Sequence, residues 1–142
     1  MWTDSYDDIL LEWIALREQA KLLSTEQAMH IVHDWWQKAP IVSHYLHLSE
    51  YKTWPGPWDL LADNNYCELA KAAGIMYTII LLERKEIYSL NLLQTDNYTY
   101  VQVLTDGGEY ILNNISASIK SDLSGVCILH TLNCNYFIDK LL

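Results

Sequence analysis

The sequence predicts an α+β fold, with N-terminal helices packed on a mostly antiparallel sheet. Apolar residues in the first forty positions recur at helical spacing, whereas those after about residue 75 gather in short β-branched and aromatic runs. An Asp-Gly turn joins two of those runs. Helices that come before strands, instead of alternating with them, settle on an antiparallel sheet. The 142 residues suit one domain with a real core. It divides into a helical N-terminal part (1–53), a central core (54–114) and C-terminal strands (115–142).

The first helix is expected over about Asp4 to Leu23, with Ile9, Leu10, Trp13, Leu16, Ala20 and Leu23 on its apolar side. Asp4, Asp7 and Asp8 stand at its start, where negative charge suits the helix dipole. Ser24-Thr-Glu-Gln27 reads as a capping box opening a second helix that runs to about Lys38. Its stripe is Ala28, Ile31, Val32, Trp35 and Trp36, and Pro40 stops it. Residues 41–58 read as irregular, with Trp54-Pro-Gly-Pro-Trp58 a stiff turn. A third helix is expected over about Asn65 to Ala73, capped by Gly74. Strands follow at Ile75–Leu82, Ile87–Leu93, Tyr98–Leu104, Glu109–Asn113 and Val126–Leu132, with Asp106-Gly107-Gly108 turning the hairpin. Tyr136–Leu142 reads as a last strand or short helix.

Composition excludes several classes. The net charge is −9 and the few Lys and Arg do not cluster, so no nucleic-acid partner is expected. An acidic nucleic-acid mimic is a minor third class, because the acids are scattered along the chain. No apolar run reaches membrane-spanning length, and no membrane partner is expected. The acidic N-terminus lacks the order of a signal peptide. Cys67, Cys127 and Cys134 are odd in number and form no Cys-x-x-Cys pair, which points to a reduced, cytoplasmic setting. Two pairs spaced three apart, His30/His33 and His44/His47, lack the further ligands of a zinc site, and no cofactor is expected. Six Trp and ten Tyr against one Phe favour a protein-binding surface, since both side chains combine an apolar body with a polar handle.

Cys67 carries the chemical question. It follows a proline turn and stands at the head of the third helix, where unpaired backbone N–H groups favour a thiolate and can line an oxyanion hole. A free thiol, with a pKa of about 8.5, is only slightly ionised at neutral pH, so a nucleophile there also needs a base. Downstream lie Tyr98-Thr-Tyr-Val-Gln-Val103, then Leu-Thr-Asp-Gly-Gly-Glu-Tyr-Ile-Leu-Asn113. This order, from Trp54 to Asn113, resembles the transglutaminase-like superfamily, a papain-related fold. There a cysteine heads a helix that ends in glycine and leads into a strand. A His-Ala-Trp-Val-Glu-Val strand, an Asp-Gly turn and a strand closed by aspartate follow.

The resemblance implies a site at Cys67, Tyr98 and Asn113, with three departures. Tyr98 stands where the family has its histidine, and Asn113 where it has its aspartate. Asn65-Tyr66 replaces the Gly-Asp or Gly-Gln often found before the cysteine. Asparagine can orient an imidazole, as in Cys-His-Asn enzymes. A tyrosine, with a pKa of about 10, is a poor base, and losing a positioned base costs about 10²–10⁴ in rate.

Two readings stand side by side. In one, Cys67 is a small buried hydrophobe in a non-catalytic relative that binds another protein. In the other, the chain is a cysteine hydrolase or acyltransferase with a relocated histidine, His130 being the foremost candidate ahead of His44 and His47. In overall style, not in any motif, the chain also resembles small accessory or virion proteins of tailed bacteriophages. That resemblance implies another phage component or a host protein as partner.

Overall fold

The computed structural model describes residues 2, 5–40, 46, 48–63, 66–96, 98–113, 119 and 126–138. Among the described residues it is an α+β fold of four helices and one antiparallel sheet, two of the helices making the main contacts with the sheet.

Helix α1 (Tyr6–Lys21) begins where Ser5 Oγ accepts the Asp8 N–H, and α2 (Thr25–Gln37) where Ser24 Oγ accepts the Gln27 N–H. Such caps contribute about 1 kcal/mol each. Both helices match expectation, but the stripe on α2 is turned. Ala28, Met29, Val32, His33 and Trp36 are buried, while Ile31 and Trp35 are only partly so. A short 3-10 segment (Leu48–Thr53) follows, within the stretch expected to be irregular.

Two expectations are corrected between residues 54 and 82. The proline turn ends by starting a helix, α3 (Pro57–Asp63). Proline suits a first helical position, because its missing N–H would have no partner there and its φ is already helical. The third expected helix and the strand Ile75–Leu82 are in fact one element, α4 (Glu68–Leu82), with Cys67 as N-cap. Asn65 lies outside the described residues. α4 is buried on nearly every side, so its residues show no polar face and imitate a buried strand. Gly74 does not stop this helix. It lets the ring of Trp36 rest on the α4 backbone, where an added Cβ would fall 2.5 Å from Trp36 Cζ2 and Cζ3 and nearer still to Cη2. The helix ends instead at Glu83, in the left-handed region at φ 53°.

One hydroxyl organises the helices. Thr78 Oγ1 accepts the indole N–H of Trp13 on α1 at 2.9 Å and of Trp36 on α2 at 3.0 Å. It donates to the carbonyl of Gly74 at 2.7 Å. The hydroxyl's one donor and two acceptor sites are thus all used at a fully buried position.

The sheet comprises β1 (Ile87–Gln94), β2 (Thr99–Thr105), β3 (Gly108–Leu112) and β4 (His130–Asn133), in the order β3-β2-β1-β4. The hairpin turns at Asp106-Gly107, and Gly108 takes φ 144°, a value open mainly to glycine. Thr99, Val101, Val103 and Thr105 alternate inward along β2, and α4 packs across β1 and β2. Amide side chains cross the sheet from Asn133 to Asn91 to Gln102 and end on the Glu109 carboxylate. The expected strand Val126–Leu132 is shortened. Residues 126–129 form no strand, β4 covers only 130–133, and Cys134–Tyr136 form a 3-10 turn. Residues 139–142 lie outside the described residues.

Candidate functional site

The N-terminus of α4 and the adjoining end of the sheet form the candidate site. Cys67 caps α4 in an extended conformation, is 6% exposed, and makes no side-chain cap bond to the helix. Its Sγ accepts the backbone N–H of Leu46 at 3.5 Å. Tyr98 stands just before β2 with its side chain partly open to solvent and its ring 5.9 Å from that of Tyr100. Its backbone is held by Thr95 on both sides, the Tyr98 N–H donating to Thr95 Oγ1 and the Thr95 N–H to the Tyr98 carbonyl.

Asn113, just beyond β3, is the junction. It sits at φ 64°, a left-handed conformation that asparagine adopts more readily than most residues. Its Oδ1 accepts from Gln37 Nε2 at 2.8 Å. Its Nδ2 donates to the carbonyl of Glu68 at 3.0 Å and to that of Thr99 at 2.9 Å. The chain neighbours of Cys67 and Tyr98 are therefore joined through the Asn113 amide, and all three positions lie at one end of the sheet. Among the described residues no hydrogen bond links Cys67 to Tyr98, to Asn113 or to an imidazole.

His130 lies elsewhere. It opens β4 opposite Gln94 and is exposed, with β1 between it and the start of β2. Two strand spacings, about 10 Å, separate it from Thr99. His44 and His47 lie outside the described residues.

The structure adds residues that the sequence did not single out for this site. His33 is buried on α2, and its Nδ1 accepts the backbone N–H of Asn113 at 3.0 Å. The bond requires a bare Nδ1, so the ring is neutral with its proton on Nε2. Burial holds the His33 pKa below its ordinary value; Asp34 opposes this and His30 reinforces it. Lys71 is also buried and donates to the carbonyl of Gln37 at 3.2 Å. Burial lowers its pKa, against the charge of Glu68, and burial raises that of Glu68. Met29 and Trp36, four before and three after His33, were the sequence signal that it faces inward.

A pH dependence follows from His33. With its native pKa below 6.5, the unfolded chain takes up the proton first as pH falls. Stability is therefore full above about pH 6.5 and declines below it. Glu68, raised in the native state, acts with the opposite sign at more acidic pH. His33→Asn keeps an acceptor near the Asn113 N–H and does not titrate. Thermal unfolding of this variant is expected to lose the decline that wild type shows on mild acidification.

Among the described residues no group of three or more His, Cys, Asp or Glu side chains is placed to hold a metal ion. No helix among them is long and apolar enough to cross a membrane. Comparison with known protein families, with curated proteins and with solved structures finds no match to this chain.

Proposed function

We propose that this chain is a non-catalytic transglutaminase-like domain that acts by binding another protein. The observation that carries the reading is the commitment of Asn113. Where an active relative has a residue that orients a histidine, this side chain spends its amide tying α2, α4 and the start of β2 together. The position that resemblance assigns to the base is Tyr98, partly exposed, and the thiol is enclosed at the helix cap. In this reading the Asn113 amide serves as a structural clasp, with Cys67 and Tyr98 beside the residues it joins, Glu68 and Thr99. A binding role draws support from the exposed apolar run beside the sheet edge, where Val126, Ile128, Leu129, Tyr136 and Ile138 all face solvent.

The rival reading, a cysteine hydrolase or acyltransferase, is favoured by one feature, the seat of Cys67 at the N-cap of a fifteen-residue helix. Alkylation separates the two, with exposed Cys127 as a reference in the same molecule. Iodoacetamide at neutral pH, read peptide by peptide in the folded protein, is expected to modify Cys127 at least tenfold faster than Cys67. A Cys67 that reacts faster than Cys127 overturns the proposal and establishes an activated nucleophile.

A further inference from the structure

From the surface of α1 we infer that this chain self-associates through that helix, two copies packing antiparallel about a two-fold axis at Ile14. The core-facing side of α1 is Ile9, Trp13, Leu16 and Ala20. The opposite side mixes exposed apolar residues with charged ones. It carries Leu11, 64% exposed, and Ile14, 37% exposed, and ends at Leu22, 88% exposed. Asp7, Leu11, Ile14, Glu18 and Lys21 follow one another at intervals of four, three, four and three, the spacing of a helix-pairing seam, with Leu11 and Ile14 its apolar middle and the other three its charged ends.

Charge selects both the occupant and its direction. The first turn of α1 is acidic, with Asp7 and Asp8, and its last turn holds Lys21. A second copy laid antiparallel about Ile14 sets Asp7 of each helix opposite Lys21 of the other, and Tyr6 opposite Leu22. The two helix dipoles then also oppose each other. A parallel copy would set acid against acid and base against base. Isologous pairing uses the same patch twice and closes at two copies. Glu18, 3.9 Å from Lys21 within the same helix, keeps a local counter-charge at the seam. This inference does not rest on the proposed loss of catalysis.

Sedimentation of the full chain at low and high micromolar concentration tests it. The mass is expected to rise from one copy towards two and to stop there. Ile14→Glu, at a position already partly open to solvent, should weaken association by at least tenfold. Lys21→Asp should weaken it similarly, and the double variant Asp7→Lys/Lys21→Asp should restore it, with circular dichroism confirming the fold in each case. A wild-type mass of one copy throughout overturns the proposal. So does association that is indifferent to both single variants, which assigns the contact to another face. A double variant as weak as Lys21→Asp overturns the antiparallel arrangement.

Discussion

Replacing Asn113 with alanine is expected to lower stability by about 2–4 kcal/mol, because a buried polar group left unpaired costs about 1–3 kcal/mol and a partly buried one less. The change removes the acceptor of the part-buried Gln37 amide and one donor from each of the Glu68 and Thr99 carbonyls, the bond to Thr99 being the fully buried one. It also places alanine at φ 64°, a conformation that costs a residue with a Cβ about 1 kcal/mol or more. Asn113→Gly separates these contributions, since glycine accepts the backbone without supplying the amide. Asn113→Asp is the more pointed variant, because it installs the residue found in the resembled family. An ionised carboxylate cannot donate to two carbonyls, so the variant is expected to be destabilised at neutral pH and to recover as acid protonates it. The sign follows from a native pKa raised above the unfolded value. Chemical denaturation at several pH values checks all three, and an Asn113→Ala loss below about 1 kcal/mol would mean the clasp contributes no more than an ordinary hydrogen bond.

Gly74→Ala is the second large effect, and its sign runs against intrinsic preference. In an exposed helix the change stabilises by about 1 kcal/mol. Here the new methyl meets the indole of Trp36 at well under contact distance. The ring has nowhere to go. Its N–H is bound to Thr78, and Trp2, Trp35 and Tyr66 pack around it with ring centroids 5.1, 5.2 and 5.7 Å away. Overpacking of this kind costs about 1–3 kcal/mol or more, so a net loss of about 2 kcal/mol is expected. The double-mutant cycle with Trp36→Phe is decisive. In the smaller-ring background the same Gly74→Ala change should be neutral or stabilising, as measured by denaturant midpoint. An equal loss in both backgrounds would place the cause elsewhere than in the ring.

Elements with local signals were legible in the sequence. Asp7, Asp8 and the Ser24 capping box mark helix starts, alternation marks β2, and Asp106-Gly107 marks the hairpin. α4 was not legible as one helix because burial on nearly all sides removes the periodicity that would identify it. Its length was the better clue, since Leu69 to Leu82 is far longer than a usual strand. Gly74 looked like a stop because an isolated glycine announces conformation and packing alike, and only the position of Trp36 decides between them. Cys67, Tyr98 and Asn113 could be named as a set only through the family resemblance that their order and spacing carry. The roles of His33, Gln37 and Lys71 could not, because they arise where α2 meets α4 and β3, contacts that no local pattern encodes.

The Thr78 hydroxyl bears on how this chain folds. Two tryptophans from separate helices depend on one oxygen, so α1 cannot peel away without stranding an indole N–H on one side or admitting water to a threonine buried on the other. States with a single helix detached are thereby disfavoured. The N-terminal half and the central helix should dissolve as one cooperative unit, and loss of tryptophan emission should coincide with loss of helical ellipticity.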